Sequence, residues 1–80
     1  MVRVGLKREA FDVAITRRNL SQKRLAEKLN ISRSYLSEIV RGKRKPSAAI
    51  RERLLGYFQE YSFDDLFIIE QGDNGNQSDL

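Results

Sequence analysis

Arg33, Ser34, Ser37 and Glu38, followed by the basic run Arg41-Gly42-Lys43-Arg44-Lys45, are the side chains of this sequence best placed to do chemistry. Their spacing puts Ser34, Ser37, Glu38 and Arg41 on one side of a helix, with Arg33 and Tyr35 on its flanks. The chemistry they offer is hydrogen bonding and positive charge. Catalysis has little to work with. The chain of 80 residues contains neither histidine nor cysteine, so imidazole acid–base catalysis, thiolate chemistry, disulfides and ordinary zinc sites are excluded. Asp64 and Asp65 are the one adjacent carboxylate pair near an apolar run, and they read as helix-start charges better than as metal ligands. No catalytic residue, no metal site and no cofactor are expected.

The charge is strongly polarised. All fifteen Lys and Arg lie between Arg3 and Arg53 against five acids, a net +10, whereas Leu54–Leu80 holds six acids and no base, a net −6. A sign change of this kind suggests a basic face for a polyanion and an acidic end kept away from it.

The elements that must position these side chains can be read from local signals. A first helix is expected over Lys7–Arg18, with Ala10, Phe11, Ala14 and Ile15 on its apolar stripe. Val2, Arg3 and Val4 alternate too weakly to define a strand and are read as irregular. Ser21 caps a second helix, with Leu20 and Leu25 spaced as a hydrophobic staple, Leu25, Ala26 and Leu29 as the buried stripe, and Asn30 as the stop. The third helix repeats that grammar: Ile31 and Leu36 form the staple, Ser32 the cap and Gly42 the stop. At ~100° per residue its Leu36, Ile39 and Val40 cluster opposite the polar face. That face is short and hydrogen-bonding, a surface able to approach base edges.

After Pro46, Ser47 caps a fourth helix reaching Tyr57 or Gln59. Its apolar set is Ile50, Leu54, Tyr57, Phe58 and Tyr61. Ser62 with Asp65 makes an acidic capping box for a last helix, Phe63–Phe67, and residues 71–80 are too polar to bury anything and are expected to be disordered. The fold expected is all-α, one compact bundle of about five short helices over residues 1–70. A domain this small hides only roughly 60% of its unfolded surface, leaving little room for an enzyme pocket. No run is long enough for a membrane span, and the N-terminus has no secretory apolar core. A cytoplasmic location is expected.

The pattern Gln22-x-x-x-Ala26-x-x-x-Asn30-Ile31-Ser32-x-x-x-Leu36-Ser37, followed by Gly42-Lys43-Arg44-Lys45-Pro46-Ser47, resembles the Cro and phage-repressor (XRE-like) class of helix-turn-helix regulators. The resemblance extends through the first and fourth helices to Phe63-Asp64-Asp65-Leu66-Phe67. It implies a repressor-like bundle whose third helix enters the major groove of double-stranded DNA. It also implies that Arg33 and Ser34 reach base edges, Arg33 suiting guanine, although a phosphate contact by Arg33 remains open. Ser37 is short enough for base edge or backbone. Glu38 stands where the class often reads a base, and either accepts from cytosine or is neutralised by Arg41 three residues on.

Phosphate contacts are expected from Gln22, Ser32, Tyr35, Arg41, Lys43, Arg44 and Lys45, with Arg17 and Arg18 as weaker candidates. Gln22 could equally face solvent, and Tyr35 could instead touch a thymine methyl or equally be half-buried packing. Two departures stand out: the class usually has glycine where Asn30 lies, and often an acid where Val40 lies. Ala26 is small because the two helices cross over it.

The expected function is a sequence-specific regulator, a repressor acting by occupancy. It would bind as a homodimer on an inverted-repeat operator, with no small-molecule ligand and no membrane partner. Tyr57, Phe58, Leu66, Phe67, Ile68 and Ile69 are the candidate dimer surface, or else simply close the core. The alternatives are an antitoxin whose acidic C-terminal third masks a basic toxin, an architectural or recombination accessory protein, and a protein-interaction bundle, which the +10 segment disfavours.

Overall fold

A computed structural model describes residues 2–71, and the order of elements is β1 (Val2–Leu6), α1 (Arg8–Arg17), α2 (Gln22–Leu29), α3 (Arg33–Val40), α4 (Ala48–Tyr57), α5 (Phe63–Leu66) and β2 (Phe67–Gln71). Five helices wrap one apolar core, as the periodicity implies. The local start signals act as read. The hydroxyls of Ser21, Ser32 and Ser47 accept the backbone N–H groups of Arg24, Tyr35 and Ile50 at 3.1, 3.0 and 3.3 Å. Ser62 and Asp65 cap each other's backbone in a reciprocal box. Asn30 takes the left-handed conformation at φ 60° that ends α2, and Gly42 takes φ 78° just beyond α3.

The core draws Phe11 and Ala14 from α1, Leu25, Ala26 and Leu29 from α2, Leu36, Ile39 and Val40 from α3, and Ile50 and Leu54 from α4. Phe58, Leu66 and Phe67 complete it. This corrects the candidate dimer surface. Phe58 and Leu66 are 0% exposed and Phe67 1%, because so small a domain needs its largest side chains to close its own interior. Of the six residues, Tyr57 is half-buried, and Ile68 and Ile69 remain as exposed apolar surface.

The terminal segments also differ from expectation. Val2–Leu6 is a strand, and the apolar run Leu66-Phe67-Ile68-Ile69 divides between the end of α5 and the start of β2. The two strands pair antiparallel, with Val2 opposite Gln71, Val4 opposite Ile69 and Leu6 opposite Phe67. Gln71, assigned to the tail, therefore closes β2; the rest of that tail lies outside the described residues. Opposed residues share a face, so Leu6 and Phe67 anchor the inner end against the core, while Ile69, midway along β2, and Val2, at the outer end of β1, stand exposed. The Lys7 N–H donates to the Leu66 carbonyl at 2.7 Å, continuing the junction beyond the sheet. Strand partners 61 to 69 residues apart leave no local signature.

Candidate nucleic-acid interface

The polar face of α3 forms the wall of a surface concavity of about 400 Å³, lined by Arg33, Ser34, Ser37, Glu38 and Arg41. The four candidate base-reading residues are thus brought together, with Arg41 beside them. The opposite face holds Leu36, Ile39 and Val40 in the core, which fixes the helix rotation. Gln22 lies at the first position of α2, where backbone N–H groups are free of intrahelical partners. Ser32 uses its oxygen to accept the Tyr35 N–H, so its hydroxyl proton is still available to donate. Tyr35 is half-buried, combining a packing role with an accessible edge.

The basic loop is arranged differently from its linear reading. Glu38 pairs with Arg44, Oε1 to Nε at 2.8 Å, rather than with Arg41. The reason lies in the turn after α3. With Gly42 left-handed, the chain folds back so that the Lys43 and Arg44 N–H groups both donate to the Glu38 carbonyl, at 2.9 and 3.3 Å. That places the Arg44 guanidinium beside Glu38 and 5.5 Å from the centre of the Tyr35 ring. The hydrogen bond to Glu38 raises the Arg44 pKa further above its already high value.

Lys45 is held by the terminal sheet. Its ammonium donates to Glu70 Oε1 at 2.9 Å, which draws the Glu70 carboxyl below the usual carboxylate range. The lysine reaches Glu70 across Gly5. A Cβ there would lie 3.3 Å from Lys45 Nζ and 3.4 Å from Glu70 Oε2, tighter than most such contacts.

Arg18 is committed to the C-terminal end of α4 and the residues just beyond it. It donates to Glu60 at 2.7 and 3.3 Å and to the Tyr57 carbonyl at 3.1 Å, with its guanidinium over the Tyr57 and Phe58 rings. Its hydrogen bond lowers the Glu60 pKa. The acidic C-terminal third is therefore not kept away from the basic segment: Glu60 and Glu70 fold back onto it. Arg17, Arg33, Arg41 and Lys43 have no side-chain partner among the described residues.

Sequence reasoning missed several supporting groups. Arg53 donates to the Leu29 carbonyl at 2.9 Å, satisfying the C-terminal end of α2, and Arg51 donates to the Pro46 carbonyl at 2.9 Å. These partners could not be found from spacing, because both depend on how α4 is docked. The reading of Asp64 and Asp65 as first-turn charges of α5 agrees with the structure, where Asp65 accepts the Ser62 N–H at 2.8 Å. That bond, followed by the Ser62 hydroxyl, lowers the Asp65 pKa.

A capped α2, a left-handed stop and a groove-sized polar α3 define a helix-turn-helix DNA-binding protein. A helix-turn-helix family model, of the XRE class that holds the Cro and repressor proteins, matches residues 14–66, and the chain belongs to that family. It is a DNA-binding regulator of XRE type. The matched span runs from within α1 to the end of α5 and leaves both strands outside it. No curated protein and no solved structure matched the chain. Among the described residues, no helix is long and apolar enough to cross a membrane.

Proposed function

We propose that the protein is a sequence-specific transcriptional repressor that sets α3 into the major groove of its operator and blocks access by occupancy. The observation that carries this reading is the α3 face itself: Arg33, Ser34, Ser37, Glu38 and Arg41 line one concavity while the opposite side of the helix is sealed in the core. Short hydroxyls let the helix approach base edges, and Arg33 can donate to both major-groove acceptors of guanine. Gln22, Ser32, Tyr35, Arg17, Arg41 and Lys43 contact phosphates and fix the register, supplying most of the affinity. Lys45 and Arg44 join them only by exchanging a carboxylate partner.

One α3 reads about half a site, so the operator is an inverted repeat bound by a homodimer with recognition helices ~34 Å apart. Ile68 and Ile69, with Val2 from the neighbouring strand, offer exposed apolar surface to the second copy. The antitoxin alternative draws on the acidic C-terminal third. That third has less free charge than its composition suggests, since Glu60 and Glu70 already hold Arg18 and Lys45.

Selection of bound sequences from a random duplex library at physiological salt tests the proposal. An inverted repeat with half-sites one helical turn apart is expected. A single half-site removes the dimer, and no enriched sequence removes specific regulation.

A further inference from the structure

We propose that Arg44 is a positioning residue for base recognition: it holds the Glu38 carboxylate in the groove, ready to accept from a base that presents an amino donor there. The inference rests on the operator-binding reading of α3 and assigns Arg44 a task other than phosphate contact.

A carboxylate on a recognition helix faces a difficulty. The phosphates flanking the groove repel it, and an unneutralised Glu38 would rotate toward solvent. The structure supplies the neutralising charge and fixes it in place. Arg44 Nε donates to Glu38 Oε1 at 2.8 Å, and its guanidinium lies 5.5 Å from the centre of the Tyr35 ring. The ring is in turn restrained by packing, since Tyr35 is half-buried against the core. The loop backbone is pinned to the same residue, with the Lys43 and Arg44 N–H groups both on the Glu38 carbonyl. Side chain and main chain of Glu38 are therefore both engaged by the loop.

The arrangement leaves capacity for recognition. Glu38 lines the same concavity as Arg33, Ser34 and Ser37, and its Oε2 has no hydrogen-bond partner among the described residues. A fixed carboxylate oxygen with an unused lone pair accepts from an amino group. In the major groove those are N4 of cytosine and N6 of adenine, and no other base edge presents one. Arg44 gives its Nε–H to Glu38, and holding that carboxylate is the task the geometry assigns it.

The test uses the intact chain and its selected site, with each base in turn at every position of a half-site. Glu38→Gln, Arg44→Ala, Arg44→Gln and the Glu38→Gln/Arg44→Ala double variant are compared, and thermal unfolding checks that each is folded. The wild type is expected to prefer cytosine or adenine at one position, and the identity of the preferred base decides between the two amino donors. Glu38→Gln and Arg44→Ala should relax that same position about tenfold, and the double variant no further. Arg44→Gln, which still donates to Glu38 without a charge, should recover part of the preference.

The proposal is overturned if Arg44→Ala weakens all sequences evenly and leaves base preference intact, the behaviour of a phosphate contact. It is equally overturned if Glu38→Gln changes no preference, or if Arg44→Gln behaves no better than Arg44→Ala. Failure of the underlying operator reading looks different: the wild type itself would then show no preferred base anywhere.

Discussion

The cations around α3 fall into two groups. Arg33, Arg41 and Lys43 have no side-chain partner among the described residues, whereas Arg44 and Lys45, one and two residues further on, are held by Glu38 and Glu70. Both groups come from the same basic stretch, and composition treats them alike. What separates them is where the chain brings its acids. Glu70 lies 25 residues from Lys45 in sequence, and Glu60 lies 42 from Arg18. Charge available to a polyanion is therefore a property of the fold, smaller and more sharply placed than the net +10 of the segment. Exposed ion pairs of this kind add little stability, so their main consequence is to restrain which cations meet DNA first.

The clearest way to break the contrast is to remove the sheet that holds Lys45. Phe67 is one of the largest fully buried side chains and pairs with Leu6 at the inner end of the sheet. Phe67→Ala is expected to cost about 3–5 kcal/mol, read as a fall in the urea midpoint. A loss under 1 kcal/mol would mean the strand pair is an ornament that cannot restrain the loop. Ala26→Leu attacks the other region. Ala26 is 2% exposed in the core, and added bulk there should cost about 1–3 kcal/mol by overpacking and spoil the α2–α3 geometry. Unchanged stability in thermal unfolding would contradict so close a crossing.

Smaller changes sharpen the comparison. Arg33→Ala should relax preference at one base pair by about 1–3 kcal/mol, measured by competition between operators differing at that position; uniform weakening would make Arg33 a phosphate contact. Lys43→Ala should shallow the dependence of log affinity on log salt by about one unit. Lys45→Ala should shallow it less, because its partner in the free protein is Glu70. Equal slopes for the two variants would erase the distinction between free and held cations.

The smallest effect is that of pH. Glu60 and Glu70 have lowered pKa values through Arg18 and Lys45. A carboxyl depressed on folding stabilises above its unfolded pKa, and that contribution disappears as pH falls through the lower folded value. Stability should therefore decline below about pH 4, and Glu70→Gln should flatten part of the decline in urea midpoints. An unchanged acid limb would show the Lys45–Glu70 pair to be absent in solution.

The helix-turn-helix was legible in the sequence because its signals are local. Ser21, Ser32 and Ser47 cap within three residues of the N–H groups they bind, Asn30 stops α2 by its own backbone preference, and the stripes of α2 and α3 follow helical period. The exposed set on α3 followed from the same arithmetic. The terminal sheet was not legible: Val2–Leu6 and Phe67–Gln71 are short, and each is a strand only because the other lies beside it. The partner of Glu38 was misjudged for a related reason. Spacing offers Arg41 at helical i+3, but the left-handed Gly42 turns the chain back and brings Arg44 closer. Arg53 on the Leu29 carbonyl likewise depends on the docking of α4, which no spacing rule encodes.

The central claim is that the polar face of α3 reads sequence while the surrounding cations supply affinity. The most direct test is the ratio of affinity for the selected operator to that for unrelated duplex, at one salt concentration, for wild type and for Arg33→Ala/Ser37→Ala. The account predicts a wild-type ratio on the order of a thousand or more that falls at least about tenfold in the variant while unrelated duplex is still bound. A ratio that survives the double substitution would place recognition elsewhere and contradict the account.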